Sequence, residues 1–568
     1  MARLIGLDMP PQIQAALDRC KSHFIAAAVF SFLMNTLFLA PPLYMLQVYD
    51  RAVPSGSVPT LLFLTIALAI ALVTLSALDA IRLRLLVRAG ARLDRELAPI
   101  VIRRAVEGGT GGVQALRDFD TLRSTIASPA VAALMDLPWV PMFVIVAFLV
   151  HWSIGVLALL AAALVAALAW RNQDATRPAM EDATKQMAAA QIWTQSAGAH
   201  AEAVRSLGMT GSVVEKAFAQ RREAIEGLIG AQFSGSSYTA ASRFVRLFVQ
   251  SLGLGLGALL AIDGKISSGA IIAASIIIGR ALQPVDAVIA GWSSLASARA
   301  ALHRLSVNLG AERLHFERTR LPPPSGKLSL DQVALKAGDG RPILFGITVE
   351  VEPGQVLAVI GPSGSGKTSL LKIMSGAIPA TVGTVRIDGA QYSDWDSDEL
   401  GSHVGYLPQQ PSLLEGTIRD NICRFSTSVA REATDAAVVE AAIQAGVHEL
   451  ILQLPNGYDT VVAPMGSSLS AGQAQRIALA RALYGAPSLI VLDEPNAWLD
   501  SDGEAALARA VKEIKGRRAA VVIAAHRRSV LEYADRVLVL DSGRPRLLGE
   551  TSKVLARLVG PPQSESVA

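Results

Sequence analysis

The sequence predicts an α-helical domain that crosses a membrane six times, followed by an α/β domain built around a phosphate-binding loop. Three observations carry this. Long runs free of Asp, Glu, Lys and Arg fill the first half of the chain. Pro322-Pro323-Pro324 closes that half as a stiff boundary. Beyond it, short Val/Ile/Leu runs alternate with helical stretches, and one leads into a Gly-rich loop ending in Lys367-Thr368. Of the 568 residues, 51% are hydrophobic and only 18% charged, against about 25% charged in soluble chains. The mean hydropathy is +0.39. This excludes a disordered or fibrous chain and argues against a purely soluble enzyme. The net charge of +4 is too small to argue for nucleic acid. Cys20 and Cys423 stand far apart and outside any metal spacing.

The spans come first. Residues 22–49 and 52–78 carry no charged side chain, and residues 137–170 form a third such run. A crossing helix needs about 20 apolar residues, so the third run holds two spans joined near His151-Trp152-Ser153. Weaker spans are expected at 247–262 and 266–279, parted by Asp263-Gly264-Lys265. The length of the first run and the spans behind it argue against a cleaved signal peptide. Arg82, Arg84, Arg88, Arg92, Arg95, Arg103 and Arg104 follow span two, and Arg171 and Arg177 follow span four. Basic residues stay on the cytosolic side. The N-terminus is then cytosolic as well, with short outer loops at 50–59, at His151 and at Asp263. Residues 174–233 read as a long helix that leaves the membrane and returns. The expected domains are a membrane domain at 1–310, a linker at 311–326, a nucleotide domain at 327–560 and a tail at 561–568.

The second half carries the chemistry. Val356-Leu-Ala-Val-Ile360 reads as a buried strand, followed by Gly361, Pro362, Ser363, Gly364, Ser365, Gly366, Lys367 and Thr368, with Ser369 opening a helix. Glycines let backbone N–H groups curl around phosphate oxygens, and the helix N-terminus favours an anion. Lys367 is placed to reach the β- and γ-phosphates of ATP, and Thr368 to hold Mg²⁺. A second apolar strand ends in Asp493-Glu494. Asp493 is expected to hold Mg²⁺ through water, and Glu494 to act as general base on the attacking water.

Between these strands stands Leu469-Ser470-Ala471-Gly472-Gln473, followed by a helix. Here the sequence resembles the ATP-binding cassette (ABC) proteins, whose signature is Leu-Ser-x-Gly-Gln. The resemblance covers residues 327–560. It implies an ABC nucleotide-binding fold behind a membrane domain of the ABC exporter type. It makes Gln409 the Q-loop residue that senses Mg²⁺ and water, Asp500 the D-loop residue at the dimer interface, and His526 the switch that contacts the γ-phosphate. It also implies a homodimer in which Ser470, Ala471, Gly472 and Gln473 of one copy close on ATP held by the other. Three departures stand out. Ala471 replaces the usual glycine, and a need for positive φ there would weaken the closed dimer. Residues 333–341 lack the aromatic that stacks on adenine. Ala463-Pro464-Met465 stands where exporters have a glutamate.

The membrane half is similar to type I secretion ABC exporters, and within them to the alkaline-protease and lipase exporter subfamily. The likeness lies in residues 40–57, in Ala115-Leu-Arg-Asp-Phe-Asp120 and in Met135-Asp-Leu-Pro-Trp139. It implies ATP-driven export of an unfolded polypeptide with a C-terminal signal across a bacterial inner membrane. The implied partners are a periplasmic membrane-fusion protein, an outer-membrane channel, the secreted polypeptide and membrane lipid, with no nucleic acid. About twenty residues precede span one, so leader cleavage by this chain is not expected. A lipid or small-molecule exporter fits six spans equally well. A soluble ABC ATPase does not, and a gated channel would need a degenerate catalytic site. Arg280 lies deep in span six, with Asp286 beyond it and Arg243 and Arg246 at the start of span five. Charges at such depth are expected to line the translocation path or to pair with one another.

Overall fold

The computed structural model describes residues 9–107, 110–310, 321–426, 431–463, 469–499, 501–525 and 531–559. The chain divides into two compact units, Met1–Leu314 and His315–Ala568.

Among the described residues of the first unit six helical segments are long and apolar enough to cross a membrane: Pro11–Ser55, Val58–Glu107, Pro129–Val150, Trp152–Gly198, Thr210–Ile262 and Ser268–Ala290. All six expected spans are there, the second, fourth and fifth as the ends of much longer helices. The stretch read as one long cytosolic helix is instead a helical hairpin. Helix Trp152–Ala199 gives way to Ala201–Ser206, the chain reverses at 207–209, and Thr210–Ile262 returns against it. The first outer loop is also shorter than expected. Helix Ala40–Gln47 runs through a π-helical turn, Val48–Ala52, to Val53–Ser55, and span two begins at Val58. Pro41, Pro42, Pro54 and Pro59 fall in first turns, where a missing N–H costs nothing. Prolines that suggested a loop are therefore helix starts. Asp50 then caps span six: its carboxylate accepts the Gly269 N–H at 2.8 Å and the Ser267 hydroxyl.

Span six is the most enclosed of these segments. Ile277, Ile278, Leu282 and Ile289 pack with Phe143, Ile154 and Val249 of three other spans. A second core joins Ile13 and Phe24 of span one to Leu86, Leu93 and Leu97 of span two and to Leu305.

Among its described residues the second unit holds three sheets. The four-stranded one runs β2 (Pro342–Val351), β1 (Leu328–Lys336), β4 (Val382–Ile387), β5 (Ala390–Gln391). The central one runs β12 (Arg544–Glu550), β11 (Arg536–Asp541), β3 (Val356–Ile360), β10 (Ala520–Ala524), β9 (Leu489–Asp493), β6 (Val404–Leu407), and β7 (Gly416–Thr417) pairs with β8 (Val461–Val462). From β11 to β6 every neighbour is parallel. Strands β9 and β10 are buried along their whole length. Helices cover both faces of such strands, which is why they read as unbroken apolar runs.

Candidate functional site

Register places the chemistry. In the parallel sheet Val359 pairs with Ala524, Ala524 with Asp493, and Leu492 with Leu407. The strand ends therefore release the phosphate loop, Glu494 and Gln409 side by side, outside the carboxyl edge where open α/β sheets bind ligands.

Gly366 caps the helix Lys367–Met374 with φ +95°, a left-handed conformation that glycine adopts without strain. Lys367 is buried, and its Nζ donates to the Gly361 carbonyl at 2.9 Å and the Pro362 carbonyl at 3.0 Å. Two of the three ammonium protons fix the side chain over the loop, and the third is left for a phosphate oxygen. Burial pushes the Lys367 pKa down, opposed by the charges of Glu494 and Asp493. Pro362, Ser363 and Gly364 are exposed at the loop tip, while Thr368 and Ser369 are half-buried on the first helical turn.

Asp493 is fully buried, yet among the described residues neither of its carboxylate oxygens, nor the buried Ser365 hydroxyl, has a hydrogen-bond partner. A buried unpaired carboxylate is costly. Burial raises its pKa, while Thr368 and Lys367 pull it down. Orphan oxygens of this kind beside Thr368 fit a hydrated Mg²⁺. Glu494 follows with φ +50°, and its N–H donates to the Ala524 carbonyl at 3.0 Å. Such a conformation is rare for a residue with a Cβ and clusters at working sites. Gln409 is exposed two residues past β6. Tyr406, on β6, has a buried hydroxyl whose pKa burial and Asp493 push up to about 12.

Ser470 caps the signature helix Ala471–Leu483 through a capping box with Gln473. The Ser470 N–H donates to Gln473 Oε1 at 2.9 Å, and the Gln473 N–H to Ser470 Oγ at 3.3 Å. Ala471 is the first helical residue and has no positive φ. The strain expected from alanine there is absent, because the position asks for a good helix former. Gly472 is close to its neighbours: a Cβ there would lie 3.0 Å from the Trp498 carbonyl and press on that segment. Among the described residues no hydrogen bond joins 470–473 to the phosphate loop, so the chain alone does not bring these two groups together. Asp500, His526, Pro464 and Met465 lie outside the described residues.

The sequence reading missed two groups. Arg424, at φ +57°, donates from Nε to the Arg481 carbonyl at 3.1 Å, from Nη2 to that of Ala482 at 3.3 Å, and from Nη1 to those of Gly401 and Val404. Arg481 in turn donates to the Ser412 carbonyl at 3.0 Å. Two arginines thus tie the end of the signature helix to both sides of the Gln409 segment. Burial pushes both pKa values down. The signal was an Arg after an apolar turn, which alone says nothing.

The other group lies in the membrane unit. Arg82, counted above as a cytosolic charge, is 7% exposed among the helices. It donates to Asp136 and Asp79, both at 2.8 Å, and Asp136 also accepts from Asn35 at 3.0 Å and from Ser31. Ser31 and Asn35, four apart in a charge-free run, were the available hint. Arg280 lies over the Phe38 ring at 4.0 Å and donates to Gln283 Oε1 at 2.8 Å. Asp286 is paired with Arg246 and accepts from Ser242, so those two charges satisfy each other.

Known proteins resemble this chain in sequence and in fold. The ABC transporter family model matches residues 344–497. The chain is 40% identical to the type I secretion system ATP-binding protein PrsD of Rhizobium meliloti, over 97% of this chain and 95% of that one. It is 27% identical to the alpha-hemolysin translocation ATP-binding protein HlyB of Escherichia coli, over 95% of this chain and 77% of the relative. A solved bacterial Atm1-family ABC exporter with ATP bound shares the fold, with a TM-score of 0.79 at 21% identity over 95% of this chain and 96% of that one. The chain is an inner-membrane ATPase that couples ATP hydrolysis to export, and it belongs to the type I secretion ABC transporters.

Proposed function

We propose that the chain works as a homodimer that exports an unfolded polypeptide with an uncleaved C-terminal signal, a protease- or lipase-like passenger. A periplasmic membrane-fusion protein and an outer-membrane channel complete the route. The observation that carries the reading is the register of β3, β10, β9 and β6, which sets the phosphate loop, Glu494 and Gln409 at one edge of the sheet.

On this reading the loop 361–366 wraps the phosphates with backbone N–H groups, and Lys367 neutralises β- and γ-oxygens. Thr368, Gln409 and Asp493 would hold Mg²⁺, which supplies charge neutralisation when bound. Glu494 orients and deprotonates the attacking water, and His526 contacts the γ-phosphate. Ser470, Ala471, Gly472 and Gln473 of the partner protomer close the site, with Asp500 at the interface. ATP is bound tightly only in the closed form, so hydrolysis removes the contacts that hold the dimer shut. Arg280 and Asp286 belong to the wall of the path, Asp286 through its pairing with Arg246.

Deleting the gene and comparing culture medium with that of the parent strain tests the substrate class. Loss of a polypeptide whose C-terminal segment is intact in the parent's medium is the expected result. An unchanged protein pattern with loss of an exported lipid or small molecule would overturn it.

A further inference from the structure

Span six differs from the others in what it exposes. Spans one to five present large apolar side chains outward, among them Phe32, Phe63, Leu149, Leu160 and Phe248. Span six presents none, and its exposed residues are Ser268, Gln283, Ala287 and Ala290. Gln283, Ala287 and Ala290 lie on one face at helical spacing, and the half-buried Arg280 precedes Gln283 by one turn. A stripe of Arg, Gln and Ala is unsuited to hydrocarbon, where an arginine is expensive and faces water or a partner.

Arg280 also lacks a counter-charge. Among the described residues it has no ion-pair partner, only the Phe38 ring and the Gln283 amide oxygen. The acids nearby are engaged elsewhere. Asp136 and Asp79 are bound by Arg82, and Asp286 by Arg246. Arg280 and Gln283 line a cavity of about 210 Å³ together with Phe38, Arg82 and the two carboxylates that Arg82 holds, Asp79 and Asp136.

We infer that Arg280 and Gln283 form a carboxylate-binding subsite on the export path, which takes acidic side chains of the passing polypeptide. The inference rests on the polypeptide-export reading and names the chemistry that the path recognises. Gln283 accepts an Arg280 N–H through Oε1, so its Nε2 is left to donate. The remaining guanidinium protons and this amide are donors without an ion-pair partner among the described residues, since the two acids on the same cavity are held by Arg82, and such a donor pair is the pattern that a carboxylate fills. The Phe38 ring lies against the guanidinium carbon at 4.0 Å and takes none of its hydrogen-bond donors. An unfolded passenger offers side chains rather than a shape, so a charge read at one point is a recognition element available to it.

The test uses the purified full-length protein in phosphatidylcholine nanodiscs and two labelled unfolded Gly/Ser peptides. One carries glutamates at regular spacing, the other glutamines at the same positions. Wild type is expected to bind the glutamate peptide about tenfold more tightly. Arg280→Gln, which keeps the polar stem, brings the ratio to about one, and Arg280→Lys retains part of it. Only the ratio within each variant is read, so partial loss of folded protein does not disturb it. Equal binding of both peptides by wild type, or an unchanged ratio in Arg280→Gln, overturns the subsite alone. Binding of neither peptide by wild type overturns the export reading beneath it. If phosphatidylglycerol in the nanodisc abolishes the preference and a photoactivatable anionic lipid crosslinks at position 280, Arg280 holds a lipid phosphate and the subsite is lost.

Discussion

The cassette and the membrane unit place their polar groups in opposite ways. In the cassette, parallel register brings backbone segments to one edge, and each motif is a short stretch that leaves a strand. In the membrane unit, the polar network is assembled by side chains from distant turns: Arg82 meets Asp136 across 54 residues, and Asn35 meets it across 101. A motif survives in sequence when its geometry is local. A network of single residues on separate helices leaves no contiguous trace, and its members look like ordinary Ser, Asn or Arg until the helices are packed.

The comparison can be broken at either end, and the large effects are expected at the phosphate loop of the cassette and at the buried Arg82 network of the membrane unit. Lys367→Ala removes the cation fixed over the phosphate loop. ATPase kcat/KM should fall at least about a hundredfold, roughly 2.7 kcal/mol of transition-state stabilisation. A fall of less than about threefold would mean that the lysine only braces its own loop.

In the membrane unit, Asp136→Ala leaves Arg82 with Asp79 alone at a buried position. Removing one partner of a buried pair costs about 3–5 kcal/mol. Detergent-solubilised Asp136→Ala should therefore melt well below wild type. The double variant Arg82→Met/Asp136→Leu should recover much of the loss, because no buried charge is left without a partner. A double variant as unstable as the sum of its singles would show that the two residues are not coupled.

A smaller effect than either is expected at the arginine clamp of the cassette. Arg424→Lys keeps the charge but cannot reach four carbonyls with a planar fork. We expect kcat to fall about tenfold while the KM for ATP changes less than about threefold, since Arg424 positions Gln409 and the signature helix and touches no nucleotide. An equal change in both would place its effect in binding.

The smallest effect concerns the base. Residues 333–341 have no aromatic side chain, and stacking normally adds affinity and selectivity. The ATP-to-GTP ratio of kcat/KM should lie below about tenfold, or 1.4 kcal/mol. A larger ratio would point to Phe345, whose N–H bonds to Gly543 next to the phosphate loop.

The cassette fold and the placement of its phosphate loop and Asp493-Glu494 were legible because buried parallel strands and a Gly-rich loop are both local signals, whereas Gln409 was legible only through the resemblance to ABC proteins. The six spans were legible from length and charge alone. What was not legible has physical causes. Prolines in first turns look like loop residues until the helix starts are known. Ala471 looked strained by analogy, and it is helical because Ser470 caps the turn before it. Arg82 looked cytosolic because charge counting ignores a partner on another helix.

The central claim is that Glu494, held at the end of β9, activates water for the ATP that drives export. It is tested most directly by ATP turnover of the purified Glu494→Gln protein beside nucleotide binding by the same sample. An amide keeps the shape but cannot take a proton, so turnover should fall by a factor of about 10²–10⁴. ATP should still bind, and the cassettes should stay closed as a dimer. Near-normal turnover in Glu494→Gln would contradict the account.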